Sequence, residues 1–261
     1  MGFYIGEHLI PYYGFMIVVG ITAAAIVGCI QVKLYKQDIN DFIIVAGMAG
    51  GGGIAGAKIL SLIQIWDRID FSRIFEKEYF RVLMGTGFVF YGGLIGGLIT
   101  VLACRMFMKI KVENYVRSCM PCIPIVHGFG RIGCSLVGCC YGRPYEGAFC
   151  KIYTESPVAP NGIPLFPVQF TEAMCNFVIA TILLIYINYK KSDKKQSLCV
   201  YLLLYAPVRF VLETLRYDAE ERGIIGWFST SQWISIGLVV CTLAWLIFNH
   251  VKNKKTSLQR E

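Results

Sequence analysis

Long apolar runs recur from one end of the chain to the other, and they limit the possible folds more than any other feature. The 261 residues are 56% hydrophobic and only 16% charged. A helix needs about 20 largely apolar residues to cross a bilayer, and about seven runs have that length. They lie near 11–30, 42–63, 87–107, 117–138, 168–188, 198–215 and 232–249. We therefore predict an all-α polytopic membrane protein, with residues 1–261 forming a single integral membrane domain.

The basic residues lie mainly in the loops between these runs. The net charge of +8 is explained by positive-inside sorting and anionic lipid, so nucleic acid is not an expected partner. With the N-terminus outside, fourteen Lys and Arg residues face the cytoplasm: Lys33, Lys36, Arg105, Lys109, Lys111, Arg117, Lys190, Lys191, Lys194, Lys195, Lys252, Lys254, Lys255 and Arg260. Eight face outward: Arg68, Arg73, Lys77, Arg81, Arg143, Lys151, Arg216 and Arg222. This asymmetry predicts an outside N-terminus and a cytoplasmic C-terminus.

Two of the predicted outer loops are longer than a simple connection requires. Residues 64–86 mix aromatic and charged side chains, which is typical of a segment that lies in the headgroup layer. Residues 141–167 contain prolines at a density that prevents a continuous helix, so we predict a loop there. Both segments are candidates for the rim of an opening to lipid.

Three basic side chains fall inside predicted spans, namely Lys58, Arg131 and Arg209. An ionisable group at membrane depth is costly unless it is paired or hydrated, so each is a candidate site residue. His127 lies four residues before Arg131 and therefore on the same helix face. The alternative for His127 is a structural hydrogen bond to a carbonyl group.

A second charged group follows Pro207, where Arg209, Glu213 and Arg216 have the i, i+4, i+7 spacing of one helix face. Two arginines around one carboxylate leave surplus positive charge, and a guanidinium group suits phosphate. The alternative is a structural ion pair at the membrane surface.

Residues at the start of the fifth predicted span and the glycines of the third are further candidates. Gln169 is a neutral donor and acceptor at this position, whereas Glu172 is explained equally well by helix capping or by a role in the site. Gly92 and Gly93 allow either close helix packing or contact with a ligand.

Eleven cysteines are present, and those inside apolar runs need no chemistry because cysteine behaves there as a small hydrophobe. Cys119 and Cys122 lack a second pair of ligands at zinc-finger spacing. Cys134, Cys139, Cys140 and Cys150 lie toward the predicted outside, where disulfides form in an oxidising compartment. No metal site and no cofactor are expected.

Taken in order, several motifs make nearly the whole chain resemble the prolipoprotein diacylglyceryl transferases, a family of bacterial membrane enzymes. The motifs are Tyr12-Tyr13-Gly14, Gly56-Ala57-Lys58, Tyr91-Gly92-Gly93-Leu94-Ile95-Gly96, Gly130-Arg131-Ile132-Gly133 through Gly142-Arg143-Pro144, Pro167-Val168-Gln169 with Glu172, Arg209-Phe210 with Glu213 and Arg216, and Ser231-Gln232-Trp233-Ile234-Ser235. The resemblance implies transfer of diacylglycerol from phosphatidylglycerol to the lipobox cysteine of a prolipoprotein, in the bacterial cytoplasmic membrane, with release of glycerol phosphate.

The resemblance also implies roles for individual residues. Tyr13 matches the family's essential tyrosine, Arg131 and Arg209 match its phosphate-handling arginines, and Gly142 and Arg143 match the end of its signature. The chain departs from the pattern at several positions: Tyr91 replaces a usual histidine, Lys58 replaces an arginine, and Cys134, Val137 and Cys139 replace two asparagines and a glutamate.

The implied chemistry assigns the remaining candidates. Arg131 and Arg209 would hold the phosphate with help from Arg143 and Arg216, Tyr13 and Gln169 would orient the headgroup, and His127 would accept the proton with Tyr91 as its hydrogen-bonding partner. The remaining candidate substrate contacts are Gly142, Glu172, Glu213, Gly92, Gly93, Lys58 and Cys134. Two alternatives stay open, a related transferase with another acceptor and a non-catalytic lipid-binding or transport protein.

Overall fold

The computed structural model describes residues 1–85, 87–189, 196–217 and 223–258. The helices in these ranges are α1 (Tyr12–Leu34), α2 (Ile39–Gln64), α3 (Lys77–Gly85), α4 (Phe90–Phe107), α5 (Val112–Cys119), α6 (Cys122–Val137), α7 (Val168–Tyr189), α8 (Ser197–Thr214) and α9 (Thr230–Leu258). The strands form three short antiparallel pairs: β1 (Gly2–Ile5) with β2 (His8–Pro11), β3 (Lys151–Ile152) with β4 (Pro164–Leu165), and β5 (Ile224–Ile225) with β6 (Phe228–Ser229).

The helices have the length and apolarity of membrane spans, as the sequence predicts. Five of the described helices, α1, α2, α7, α8 and α9, are long and apolar enough to cross a bilayer. The bent pair α5 and α6 makes a sixth candidate, and α4 is apolar but shorter. The prediction of a polytopic, mainly helical membrane protein is thus confirmed. Its orientation stays a prediction, and Lys190, Lys191, Lys194, Lys195, Arg222 and Arg260 from the charge count lie outside the described residues.

One predicted span, 117–138, is not a single helix. Helix α5 ends at Cys119, and α6 begins at Cys122 with Pro121 as its N-cap residue. A proline cannot donate a backbone hydrogen bond, and its ring clashes with the preceding turn. The prediction of an unbroken helix was therefore wrong at this point, and α6 starts afresh just before the segment that carries His127 and Arg131.

The chain divides into two compact units, residues Met1–Gln31 with Arg117–Glu261, and residues Val32–Val116. In the second unit, α2 and α4 pack along glycines. A Cβ atom on Gly56 would overlap the carbonyl oxygen of Gly92, and one on Gly96 would overlap that of Gly52. Only glycine permits backbones to approach so closely. Packing therefore accounts for this row of small residues.

The predicted interfacial segment 64–86 also belongs to the second unit. It contains two 3-10 turns, Trp66–Arg68 and Phe71–Arg73, followed by α3, whereas Thr86 lies outside the described residues. The side chains of Trp66 and Phe71 are exposed, with their rings in contact. A large exposed aromatic surface of this kind suits the headgroup layer.

In the first unit, α6 packs against α7, α7 against α8, and α8 against α9. One face of α7 is almost completely buried, with Glu172 and Asn176 near its start and Ile179, Leu183 and Ile187 farther along. These residues follow the period of a helix face. The buried face thus changes from polar to apolar along α7, and the polar end carries the candidate site.

The predicted loop 141–167 has no α-helix, in agreement with its prolines, but it is more ordered than the sequence indicates. The β3–β4 pair closes it, and Ser156 accepts hydrogen bonds from the backbone of Val158 and Ala159. The Ser156 hydroxyl also donates to the carbonyl oxygen of Val137 at the end of α6. The loop is therefore fastened to the helix that carries Arg131.

Candidate active site

The carboxylate of Glu172 is the centre of a buried polar cluster formed by α6, α7 and α8. One oxygen, Oε2, lies 3.0 Å from Nε of Arg131 and 3.9 Å from Nη1 of Arg209. The other, Oε1, lies 3.5 Å from Nε2 of His127 and accepts a 3.1 Å hydrogen bond from the hydroxyl of Tyr205. The Glu172 side chain is fully buried. A buried carboxylate is tolerated only with such partners, since desolvation costs several kcal/mol per ion.

The alternative reading of Glu172 as a helix cap was wrong. Helix α7 begins at Val168 and has no acidic residue in its first turn. Glu172 starts the second turn and points into the unit, toward the two arginines. Helix capping acts on exposed backbone groups within the first turn, so it does not explain this residue.

His127 and Arg131 meet as their spacing on α6 predicts. The Nε group of Arg131 donates to Nε2 of His127 over 3.4 Å. The imidazole ring also contacts the ring of Tyr205 edge to face, with centroids 5.2 Å apart. Among the described residues, the structural alternative, a hydrogen bond from His127 to a carbonyl group, is not found.

Arg209 connects the two buried carboxylates. Its Nη2 lies 2.6 Å from Oε2 of Glu213 and donates to Oγ of Ser231 over 3.3 Å. Ser229 in turn donates to Oε1 of Glu213 over 3.2 Å. The remaining terminal nitrogen, Nη1, is buried and has no hydrogen-bond partner among the described residues. A buried donor without an acceptor is costly, so this atom marks a place for a ligand acceptor.

Arg216 does not share the helix face of Arg209 and Glu213, and that prediction was wrong. Helix α8 ends at Thr214, and the chain then runs antiparallel to the segment around Gly142. The backbone of Arg143 donates to the carbonyl oxygen of Leu215 over 3.0 Å. The backbone pairing replaces the last helical turn and buries Arg216 instead of leaving it at an outer rim. The side chain of Arg143 is exposed.

Gly142 is required by this same backbone pairing. A Cβ atom there would overlap the carbonyl oxygen of Phe166 and lie 3.1 Å from that of Leu215. A side chain at this position would push the two segments apart. Packing therefore gives Gly142 a structural role beside the one implied by the family signature.

Gln169 holds the loop that follows α6. Its amide nitrogen donates to the carbonyl oxygen of Cys139 over 2.9 Å and to the hydroxyl of Tyr153 over 3.3 Å. Tyr153 donates onward to the carbonyl oxygen of Ser135, which also accepts from Lys151. Burial raises the pKa of Tyr153 and lowers that of Lys151. Gln169 thus positions the end of α6.

Cys134, Cys139 and Cys140 lie together where α6 ends. Their sulfur atoms are all within 4.8 Å of one another. Hydrogen bonds with the thiols of Cys134 and Cys139, and the charges of Arg216 and Arg131, hold the pKa of Cys140 well below its usual range. Hydrogen bonds with the thiols of Cys134 and Cys140 raise the pKa of Cys139.

Tyr13 lies at the start of α1, against the same end of α6. A Cβ atom on Gly133 would lie 3.1 Å from Cδ2 of Tyr13, so the glycine permits this contact. The tyrosine is 45% exposed. Its ring therefore combines an exposed edge with a fixed position beside Cys134.

The other four candidates belong to the second unit. Lys58 donates to the carbonyl oxygen of Leu83 over 2.8 Å, Gly92 and Gly93 face α2, and Tyr91 is 45% exposed on α4. Through these contacts, Lys58 and the two glycines contribute to packing within the second unit. The pairing of Tyr91 with His127, and the substrate contacts of the other three, stay predictions.

Two side chains of the cluster were missed from the sequence. Tyr205 precedes Arg209 by four residues, so extending the face of α8 toward its N-terminus would have found it. Ser229 is the last residue of β6, directly before α9, and only the tertiary pairing of α8 with α9 brings it to Glu213. No local sequence pattern identifies a contact of that kind.

Comparison with known proteins identifies the family of the chain. The family model described as prolipoprotein diacylglyceryl transferase matches residues 1–248. The phosphatidylglycerol–prolipoprotein diacylglyceryl transferase 2 of Clostridium perfringens is 34% identical over 253 residues, covering 93% of this chain and 92% of that protein. The Clostridium tetani enzyme of the same description is 35% identical over 239 residues, covering 91% of each chain. The chain belongs to the prolipoprotein diacylglyceryl transferase family.

Proposed function

We propose that this protein transfers the diacylglyceryl group of phosphatidylglycerol to the lipobox cysteine thiol of a prolipoprotein and releases glycerol phosphate. Family membership supports the reaction, and the names of the two clostridial relatives state both substrates. The site supports the donor, because it is a cluster of buried cations at the polar end of a membrane-spanning helix.

The observation that carries the proposal is the buried guanidinium group of Arg209. Its Nη1 has no hydrogen-bond partner among the described residues, and it lies inside an apolar helix. Around it, Arg131 and Arg209 form ion pairs with Glu172 and Glu213, and Arg216 acts electrostatically on Glu172. Three arginines and two carboxylates leave one positive charge in excess. A phosphodiester carries one negative charge and accepts hydrogen bonds from guanidinium groups.

The reaction needs a nucleophile and a stabilised leaving group. The acceptor thiol loses its proton and attacks the glycerol carbon that bears the phosphate ester, so that a carbon–sulfur bond forms. The carbon–oxygen bond breaks, and its electron pair goes to the departing phosphate oxygen. Arg131 and Arg209 hold the charge that develops there. Glu172 and Glu213 keep both guanidinium groups in place before the substrate arrives.

The other candidates receive supporting roles. Tyr13 and Gln169 orient the headgroup, with Gln169 acting through the end of α6, and Arg143 and Arg216 add positive charge. Gly142 and Cys134 shape the site around the segment after Arg131. Contacts with the lipid by Lys58, Gly92 and Gly93 are also proposed.

His127 is the proposed proton acceptor, and Tyr91 stays a candidate residue for the same proton-handling step. Its support is position, since the imidazole lies against Glu172 and Arg131 in the same cluster. Replacement of His127 by Ala should lower the rate of transfer by about 10²–10⁴-fold, as for loss of a general base. Full transfer by His127→Ala in phosphatidylglycerol membranes would remove His127 from this role.

The location follows from the reaction. We place the protein in the bacterial cytoplasmic membrane with its N-terminus outside. Segment 64–86 would lie in the outer headgroup layer, segment 141–167 would form an outer loop, and the signal peptide of the prolipoprotein would be the acceptor substrate. Nucleic acid has no part in this function.

The test is transfer by the purified protein in phosphatidylglycerol liposomes. With lipid labelled in the diacylglycerol part, a lipobox peptide should acquire the label, and the same peptide with serine in place of cysteine should not. Complementation of cells depleted of their own diacylglyceryl transferase separates the alternatives. Labelled transfer to another acceptor without rescue indicates a different transferase, and neither result indicates a lipid-binding protein.

A further inference from the structure

The thiol cluster of Cys134, Cys139 and Cys140 has no part in the mechanism above beyond the contact proposed for Cys134. The cluster forms where the last turn of α6 is followed by a tight backbone turn. Helix α6 ends with Gly138 in the left-handed region at φ 88°, and Cys140 follows with φ 60°. A left-handed conformation is unfavourable for a residue with a side chain. The chain thus adopts an uncommon backbone arrangement that turns Cys139 and Cys140 back toward Cys134.

The spacing of the three sulfur atoms is near that of a metal site. Zinc–sulfur bonds of about 2.3 Å in tetrahedral geometry place the sulfur atoms about 3.8 Å apart. Here they lie within 4.8 Å of one another, so small side-chain rotations bring them to one ion. Thiolates favour thiophilic ions over magnesium or calcium.

The charge around the cluster also suits a bound ion. Three thiolates and one divalent cation carry a net charge of −1, and Arg131 and Arg216 act electrostatically on Cys140 from nearby. The cluster is partly or fully buried. An anionic metal–thiolate group would therefore lie beside two positively charged side chains of its own unit.

We propose that Cys134, Cys139 and Cys140 bind Zn²⁺ as a three-thiolate site whose open fourth position takes the acceptor thiol. The proposal rests on the proposed function, because it names how the acceptor of that reaction is activated. Catalytic zinc sites commonly have three protein ligands and one open position, whereas structural sites use four.

A bound zinc ion would supply what the sequence departures remove. Coordination to zinc lowers the pKa of the acceptor thiol, so its proton passes to His127, the acceptor proposed above, and a zinc-bound thiolate is present at neutral pH. This thiolate attacks the glycerol carbon, the carbon–sulfur bond forms, and the carbon–oxygen bond breaks toward the phosphate that Arg131 and Arg209 hold. Cys134 and Cys139 are two positions at which the resemblance implies polar side chains, so the metal would act where this chain departs from that pattern.

The first test measures metal binding without reference to activity. Full-length protein is purified under reducing conditions, stripped of metal and titrated anaerobically with Co²⁺, which reports thiolate ligands by charge-transfer absorption and tetrahedral geometry by its visible bands. One ion per chain should bind, and added Zn²⁺ should displace it. Cys139→Ser and Cys140→Ser should each lose the thiolate signal, whereas Cys150→Ser, an exposed cysteine of the same loop, should keep it.

The second test asks what occupies the fourth position. A lipobox peptide should change the visible Co²⁺ bands of the wild-type protein, and its serine analogue should not. Transfer by the metal-free protein should fall and recover when Zn²⁺ is restored. Binding of cobalt and peptide without any transfer would contradict the proposed function and leave the metal site in place.

Transfer that does not depend on the metal would overturn the zinc proposal and leave the proposed function in place. If metal-free protein and Cys139→Ser transfer label at the wild-type rate, the reaction stands and the zinc site has no role in it. Absence of thiolate absorption in reduced wild-type protein overturns the site itself. A mass spectrum that shows a disulfide within the cluster in protein purified without reductant, together with no cobalt binding after reduction, assigns the cysteines to a redox pair instead.

Discussion

Helices α6, α7 and α8 contact one another through charged side chains, whereas α2 and α4 contact each other through backbone atoms at glycines. In the first group, Glu172 and Arg131 are buried against each other at 3.0 Å. In the second, glycines such as Gly56 and Gly92 bring the two helices into direct contact. Close packing of small residues stabilises a helix pair in lipid at no desolvation cost. Buried charges are expensive there. The contrast indicates that α2 and α4 use packing for stability and that α6, α7 and α8 retain charge for function.

The largest effect on stability is expected from Glu172→Gln. This change leaves Arg131 and Arg209 buried with one carboxylate fewer, and breaking a buried ion pair costs about 3–5 kcal/mol. The free energy of unfolding in detergent, or the melting temperature, measures it. If Glu172→Gln is as stable as the wild type, the cluster is hydrated and the comparison with α2 and α4 fails.

Gly56→Ala tests the other side of the comparison. A Cβ atom there overlaps backbone of α4, and overpacking costs about 1–3 kcal/mol. Gly51→Ala is the matched control in α2, since no atom lies within 4 Å of its added Cβ. In thermal unfolding, Gly56→Ala should have a lower melting temperature than Gly51→Ala. Equal stability of both would show that α2 and α4 do not depend on close contact.

Tyr205→Phe removes one hydrogen bond to the Glu172 carboxylate. A hydrogen bond to a charged group contributes about 1.5–3 kcal/mol, so both stability and transfer should fall without being abolished. Tyr201→Phe, the stacked neighbour on α8, is the control that changes the same chemical group. A similar loss in both variants would assign the effect to the loss of any buried hydroxyl on α8.

The smallest effect is expected from Arg105→Gln. Arg105 and Glu113 form a 2.7 Å ion pair, but the arginine side chain is 60% exposed. Exposed pairs contribute about 0–1 kcal/mol, so unfolding should be almost unchanged although the ion pair is shorter than that of Glu172 and Arg131. A loss of unfolding free energy as large as that of Glu172→Gln would show that burial does not determine how much these ion pairs contribute to stability.

Much of the fold follows from the sequence because bilayer thickness fixes the length of apolar helices. The pairing of His127 with Arg131 and of Arg209 with Glu213 was also predictable, since one helical turn separates each pair. Pro121 itself indicated a break in the helix, but the apolar residues on both sides of it favoured the prediction of one continuous span. These features depend on local geometry alone.

The rest depends on how distant segments pair. Glu172 looked like a cap because its sequence neighbours do not show that α6 and α8 carry the opposing arginines. Arg216 looked helical because nothing local shows that Leu215 pairs with Arg143. The thiol cluster depends on left-handed turns at Gly138 and Cys140, which the spacing of cysteines alone does not specify.

The most direct test of the central claim is the rate of transfer by Arg209→Gln in phosphatidylglycerol liposomes, compared with wild type and Arg105→Gln. If Nη1 of Arg209, which has no hydrogen-bond partner among the described residues, holds the phosphate, kcat should fall by about 10²–10³-fold, as for loss of one preorganised donor. Arg105→Gln should keep the wild-type rate. A folded Arg209→Gln protein with normal turnover would contradict the account, because the buried positive charge would then have no role in the reaction.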